Sequence, residues 1–370
     1  MERNSFKKII IIDNSLYPTG ALKSILTITN KLKGHFDFVY VTPSESIKNE
    51  LAKQHKVAYV FKFLELSKRP KALLYPLVLI WNSFKLYQLV RREKAEIIHV
   101  NDLYNMVGVV VKIFRPNIKL VHHVRLMPES YLKQLYFTWI NILIKKSDKI
   151  ICVSKSVFNA IKNSEKKIVI YDAMEDKESH PKKEIATGKS KTNLIYVGNF
   201  LKGKGQDFAA RALKRLLELG FKVELTYIGS IDSPGNNYYY EILNYLKQEN
   251  ILDKVTFKQF IHDIEKEMKS GDILINFSES ESFSMVCLEA LYYGIPLVCT
   301  DSGGPAELFK NYESGVLVKN RNVDDMVVGI KHLIENPKKQ YLYSRAGKLY
   351  VRDKFSLPKM ASKLKLMYNS

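Results

Sequence analysis

Short runs of branched apolar residues, each followed by a helix-length segment, recur along this 370-residue chain. In the first half they are Lys8 to Asp13, Phe36 to Val41, Val57 to Phe61, Ile97 to Asn101, Leu120 to Val124 and Lys149 to Ser154. Apolar and polar residues hardly alternate within them, which is the pattern of strands covered on both faces in a parallel sheet flanked by helices. Segments such as Ala21 to Leu32 and Leu79 to Arg92 supply the helices. The βαβα alternation predicts a doubly wound α/β domain. From Glu175 to Thr192 the chain reads EDKESHPKKEIATGKSKT, a polar, charged stretch with the composition of a linker. The alternation then restarts, with strands expected at Leu194 to Val197, Val223 to Ile228, Val255 to Lys258, Ile273 to Phe277 and Leu297 to Thr300. Helices are expected at Gln206 to Leu219, Tyr239 to Gln248, Met285 to Tyr293 and Val323 to Glu335. The length exceeds one ordinary core. We therefore expect two doubly wound domains, 1–176 and 193–340, joined by a polar linker at 177–192, with 341–370 following.

Composition narrows the setting. Cys152, Cys287 and Cys299 fit neither a disulfide framework nor a CxxC metal or redox site, which favours a reducing, cytoplasmic environment. The uninterrupted apolar run Ile9 to Ile12 is short for a signal-peptide core. Ala72 to Trp81 and Leu135 to Ile144 fall below the roughly 18 to 20 residues of a membrane-spanning helix, so no transmembrane anchor is expected. The net charge of +20 is uneven: residues 1–175 hold 29 Lys and Arg against 14 Asp and Glu, and the remainder holds 29 against 24. A basic first half suits nucleic acid, an anionic membrane surface or a phosphate-bearing substrate; it also suits a lysine-rich solvated surface.

Three Gly- or Ser-rich turns in the second half carry the chemistry. After NLIYV comes GNFLKGKGQ, residues 198–206, where backbone N–H groups and a helix start can meet an anion and Lys204 can neutralise a phosphate oxygen. Gly198, Gly203 and Lys204 fit a Walker A loop, but Gly205 stands where Ser or Thr would ligate magnesium, so a nucleotide phosphatase remains an alternative. A flexible surface turn is the bland reading.

The second turn, SESESFS, precedes MVCLEALYYGIP and places Glu281 just ahead of a helix and Glu289 about two turns inside it. Ser282 and Ser284 supply capping hydroxyls. A glycosidase pair needs carboxyls on opposite sides of one bond, and two acids along one turn and helix share a side. Carboxylates flanking an anion seat suit hydrogen bonds to sugar hydroxyls; plain helix-start and surface charges are the alternative. The third turn, TDSGGPAE, residues 300–307, repeats the grammar. Three such turns in one domain point to a shared phosphate-binding face at the carboxyl ends of the strands.

Together VGNFLKGKG, FSESESFSMVCLEALYYGIPLV and DSGGPAEL resemble the retaining family 4 glycosyltransferases of the GT-B fold, whose hallmark of Glu, seven residues, Glu is filled by Glu281 and Glu289. The likeness extends more loosely into the first half through IIHVND, KLVHHVRL and KIICVSKSV. The resemblance implies two Rossmann-like domains facing across a cleft, with a nucleotide-diphosphate sugar as donor substrate, UDP being favoured. It implies no cofactor, no metal and no nucleic acid partner. Lys204 would bind the diphosphate, Glu281 and Ser282, Phe283 and Ser284 would hold sugar and phosphate, Glu289 would bind ribose, and Gly198, Gly303 and Gly304 would line the seat. Pro18-Thr19-Gly20 resembles the glycine loop near the diphosphate, and His123 and Arg125 lie where a His facing the reaction centre is often found. Asn101 and Asp102 are acceptor-side candidates. Asn199 stands where most members carry Arg, so one leaving-group cation is missing unless Lys202 replaces it; Ser282 and Ser284 stand where glycines are common. Residues 341–370 resemble the C-terminal helices, the last of which packs on the first domain. The implied activity is hexosyl or N-acetylhexosaminyl transfer to a glycan or lipid-linked acceptor in polysaccharide or glycolipid assembly, by a cytoplasmic enzyme that can sit peripherally on the membrane.

Overall fold

The computed structural model describes residues 6–64, 73–130, 132–175, 191–231, 237–259 and 263–370. The chain divides into two compact units, with boundaries at Glu175/Asp176 and at Ser356/Leu357.

The first unit holds seven strands: β1 (Lys7–Ile12), β2 (Phe36–Thr42), β3 (Val57–Val60), β4 (Ile97–Val100), β5 (Lys119–Val124), β6 (Lys149–Cys152) and β7 (Lys167–Val169). All pairs are parallel, in the order β3-β2-β1-β4-β5-β6-β7. Helices α1 (Gly20–Lys31), α2 (Glu45–Lys53), α3 (Tyr75–Glu93), α4 (Val107–Phe114), α5 (Lys133–Lys146) and α6 (Lys155–Ala160) connect them. Ile9 to Ile12 are completely or almost completely buried, as a strand covered by helices on both faces requires.

The second unit repeats the plan with β8 (Thr192–Val197), β9 (Val223–Ile228), β10 (Val255–Lys258), β11 (Ile273–Asn276), β12 (Leu297–Thr300) and β13 (Val316–Val318). Their order is β10-β9-β8-β11-β12-β13, again parallel throughout. The helices are α7 (Gln206–Glu218), α8 (Tyr238–Gln248), α9 (Ile264–Ser270), α10 (Met285–Tyr292), α11 (Val323–Ile334) and α12 (Pro337–Lys354). Each sheet reverses its strand order beside its first strand, so each has a switch point, at β1/β4 and at β8/β11. Crevices for ligands open at the carboxyl ends of strands at such points.

The last helix, α13 (Leu357–Asn369), belongs to the first unit. Its Leu357, Met360, Ala361, Leu364, Met367 and Tyr368 are buried at helical spacing, and it packs beside α1. Tyr368 lies edge-on to Phe36 at 5.3 Å, and its hydroxyl is 2.5 Å from Nδ1 of His99 on β4. Lys119 Nζ donates to the Met367 carbonyl at 2.6 Å.

The sequence places every strand but the two shortest. β7 and β13 have three residues each, too few for a periodic signal. The strand expected to run to Ser154 stops at Cys152, because the Ser154 hydroxyl accepts the Val157 N–H at 3.0 Å and caps α6. Helix α3 starts at Tyr75, four residues before the expected Leu79, with a proline in its first turn, where its missing N–H does no harm. The expected linker overlaps β8 at Thr192, and its residues 177–190 lie outside the described residues. We expect Leu364→Ala to destabilise the first unit by about 2–5 kcal/mol through loss of buried apolar contact, measured by urea denaturation.

Candidate functional site

The three turns singled out in the sequence follow β8, β11 and β12, so two of them flank the switch point of the second sheet. Backbone and side-chain bonds lace them together. The Glu279 N–H donates to the Gly203 carbonyl at 2.9 Å, joining the second turn to the first. The Glu281 N–H donates to the Ser302 carbonyl at 2.9 Å, and the Gly304 N–H returns a bond to the Glu281 carbonyl at 2.8 Å, joining the second to the third. Thr300 Oγ1 donates to the Ser278 carbonyl at 2.7 Å.

Across this seam Lys204 Nζ and Glu281 Oε1 form an ion pair at 2.7 Å. The Glu281 carboxylate raises the Lys204 pKa above its ordinary value, outweighing burial, so the ammonium is fully charged. A residue expected at the phosphate and one expected at the sugar are thus within hydrogen-bond reach of each other.

Two glycines are dictated by sterics. A Cβ on Gly205 would lie 2.0 Å from the Phe277 carbonyl oxygen, and its φ of +79° is one that side chains disfavour. Gly205 is therefore required by this turn and cannot be exchanged for the Ser or Thr of a Walker A loop. A Cβ on Gly304 would lie 2.3 Å from Phe283 Cα. Gly303, beside it, has φ +114°. Phe283 itself is buried and meets Phe355 edge-on at 5.6 Å, anchoring the second turn.

Ser284 caps α10 by accepting the Cys287 N–H at 3.3 Å, yet its φ is +77° and its ψ +90°. This conformation explains why glycine suits the position and implies local strain for serine. Glu289 sits in the second turn of α10, buried. The amino end of α7 has no side-chain cap, and its dipole points toward the Gly198–Gly205 turn.

Asn199 is a structural member. Its Oδ1 accepts the Ser230 N–H at 3.2 Å, and its carbonyl accepts Gln206 Nε2 at 3.0 Å. Lys202 is well exposed and 4.0 Å from Glu241, so it is not a replacement cation lodged in the seam. Sequence reasoning missed Tyr196 and Gln206. The Tyr196 hydroxyl accepts the Phe277 N–H at 2.9 Å and donates to the Lys204 carbonyl, while Gln206 Nε2 also reaches the Gly198 carbonyl at 3.2 Å. A tyrosine on a strand covered on both faces was the available signal, since its hydroxyl must find partners.

In the first unit the switch point carries a polar network. Asn101 Nδ2 donates to Asp13 Oδ2 at 2.6 Å and Arg125 Nε to Asn101 Oδ1 at 2.7 Å. Arg125 Nη1 also lies 2.8 Å from both carboxylate oxygens of Asp172. Arg125 is thus a cation paired within the first unit. His123 is buried, with its ring 5.5 Å from that of His99, and its Nε2 has no hydrogen-bond partner. Burial, the Arg125 charge and His99 hold its pKa well below the ordinary value, so it is neutral. It lies inside because β5 is covered on both faces, so neither His122 nor His123 emerges. Gly20 opens α1 behind Thr19, whose hydroxyl accepts the Leu22 N–H at 3.2 Å. Asp102 accepts from Leu103 N at 2.5 Å and from Asn14 Nδ2 at 3.2 Å. Burial raises its pKa to about 7, aided by Asp13 and opposed by the Leu103 and Tyr104 N–H groups.

Two parallel-sheet Rossmann-like units with this arrangement define the GT-B class. Anabaena HepE, crystallised with UDP and glucose, superposes with a TM-score of 0.81 at 19% identity, covering 98% of this chain and 100% of that one. The sucrose-phosphate synthase of Thermosynechococcus elongatus gives a TM-score of 0.82 at 15% identity, covering 98% of each chain. Residues 176–349 match the Glycosyl transferases group 1 family and residues 19–171 match Glycosyltransferase Family 4. The chain belongs to the family 4 glycosyltransferases. Among its relatives are an uncharacterized glycosyltransferase of Methanocaldococcus jannaschii, 27% identical with 78% of this chain and 79% of the relative covered. Another is the N-acetylgalactosamine-N,N'-diacetylbacillosaminyl-diphospho-undecaprenol 4-alpha-N-acetylgalactosaminyltransferase of Campylobacter jejuni, 26% identical with 92% and 94% covered.

Gly205→Ala is expected to destabilise the second unit by about 1–3 kcal/mol or more, read as a lower melting temperature. Asp102 binds a proton in the folded state that the unfolded chain releases above about pH 4, so its contribution to stability falls as pH rises from there through about 7. Asp102→Asn removes this loss, and the variant should gain in melting temperature relative to the parent between pH 5 and pH 8.

Proposed function

We propose that this glycosyltransferase takes a hexosyl or N-acetylhexosaminyl group from a UDP-sugar and gives it to a hydroxyl of a glycan or lipid-linked acceptor, with retention of anomeric configuration. The observation that carries this reading is the Lys204–Glu281 pair, set on laced turns at the switch point of the second sheet. A cation and a carboxylate joined at 2.7 Å are placed to serve the two halves of the donor, the ammonium the diphosphate and the carboxylate sugar hydroxyls. Glu289 serves the ribose, and the backbone from Ser282 to Ser284 with Gly303 and Gly304 lines the seat.

In the transfer the acceptor oxygen bonds to the anomeric carbon as the bond from that carbon to the diphosphate oxygen breaks. The acceptor proton passes to the departing diphosphate. Lys204 and the amino ends of α7 and α10 stabilise the charge that develops on the leaving group. No metal takes part in this reading, and activity should survive chelation. UDP is favoured because HepE is crystallised with it, and a lipid-linked acceptor because the Campylobacter relative's name specifies a diphospho-undecaprenol glycan. Surface polysaccharide or glycolipid assembly at the inner face of the membrane fits both.

A panel of nucleotide sugars assayed by thermal shift tests this, since a ligand of the folded state raises the melting temperature. UDP-sugars should stabilise the protein without added metal; preference for ATP with magnesium would overturn the reading. Lys204→Ala should lower turnover by about a hundredfold or more, the scale of losing one charge-stabilising group. Glu289→Gln should chiefly weaken donor binding.

A further inference from the structure

Over its first three turns helix α3 is apolar on both sides, with half-buried Val78 and Leu79 beside Asn82 and a second apolar stripe facing solvent. The side turned into the first unit carries buried Asn82 and Ser83, and the Ser83 hydroxyl has no partner. The side turned to solvent, with the two residues before the helix, carries Leu73, Leu74, Leu77, Ile80, Trp81 and Phe84, each between 51% and 85% exposed. A helix on the surface of a soluble domain presents polar residues outward. A contiguous apolar stripe of this kind marks an interaction surface.

Continued at helical spacing from Phe84, the same face reaches Gln88 and Arg91 and turns basic. Arg91 and Lys94 then line a cavity of about 480 Å³ with Lys7, Arg115 and Lys119 at the amino ends of β1, β4 and β5, opposite the switch-point end of this sheet. Glu96 is the one acid among its lining residues. Among the described residues the side chains of Lys7, Arg91, Lys94 and Arg115 make no ion pair or hydrogen bond. Burial lowers the Lys119 pKa, aided by the charges of Lys7 and Lys149 and opposed by Asp148. Phe114, 74% exposed, immediately precedes Arg115.

We infer that this face docks the protein on an anionic phospholipid bilayer, the α3 stripe entering the interfacial layer while the cation cluster meets lipid phosphates. Charge complementarity selects this occupant. A second copy packed stripe to stripe would bury the apolar residues but bring no anion to the cation cluster. A bilayer supplies apolar depth and phosphate together, and Trp is favoured at the interface. No helix among the described residues is long and apolar enough to cross a membrane, so α3 lies on the surface. The inference deepens the lipid-linked acceptor reading but is measured without donor or acceptor, so either can fail alone.

Full-length protein is sedimented with vesicles of phosphatidylcholine, alone or with a third phosphatidylglycerol. Binding to the anionic vesicles should exceed binding to the neutral ones at least tenfold, since each basic residue near an anionic surface is worth about fivefold in affinity. Leu77→Ser combined with Ile80→Ser and Phe84→Ser should cut it tenfold or more. Arg91→Glu combined with Lys94→Glu and Arg115→Glu should do the same by a separate route. Both variants should keep the parent's thermal shift with UDP, and Trp81 emission should move to shorter wavelength on anionic vesicles only. The inference is overturned if the parent does not bind, if it binds neutral vesicles equally well, or if either variant binds as the parent does. A dimer that the triple serine variant dissolves would assign the stripe to a second copy and also overturn it.

Discussion

The site of the second unit depends on one buried hydroxyl. Tyr196 stands on the first strand of its sheet and bonds across the switch point, accepting from Phe277 at the end of β11 and donating to the Lys204 carbonyl. A buried tyrosine hydroxyl left unpaired would be costly, so both bonds are enforced by the burial that packing already requires. Lys204 is thereby fixed by its backbone, and its side chain has only to reach Glu281. The Lys204 ammonium is positioned from beneath by the core.

The same logic, with opposite outcome, governs the first unit. There the carboxyl ends of the strands hold Asp13, Asn101, Arg125 and Asp172 in a closed set of hydrogen bonds. Burying an arginine is tolerable only with such full pairing. The network fixes the switch point between β1 and β4, leaving the adjacent Asp102 as the titratable group there with a pKa displaced into the neutral range. One sheet thus ties its charged side chains into a network of four, and the other holds the single pair of Lys204 and Glu281 across its turns.

Much of this was legible in the sequence, for identifiable reasons. β1, β2, β9 and α7 announce themselves by long apolar patterning, and Glu281 and Glu289 by charge at the start of a buried helix. Pattern does not carry pairing. Asn199 reads as a lost cation, but only the fold shows its amide oxygen tied to Ser230. His123 reads as a strand-end histidine open to ligand, yet coverage on both faces of β5 closes it in beside His99. Gly205 reads as a defect in a phosphate loop, and proves to be the residue that lets the Phe277 carbonyl pass.

Ser284 has a wider consequence. Its backbone is held at φ +77°, an angle serine disfavours, by its neighbours: the Ser302–Glu281–Gly304 bonds on one side and α10, which its hydroxyl caps, on the other. The turn is therefore shaped by the protein's own bonds. An incoming anion would find its surroundings organised, and little of its binding energy would go into ordering the loop. The strain is carried permanently by the resting protein, as a standing reduction in stability that is exchanged for a smaller reorganisation at each encounter.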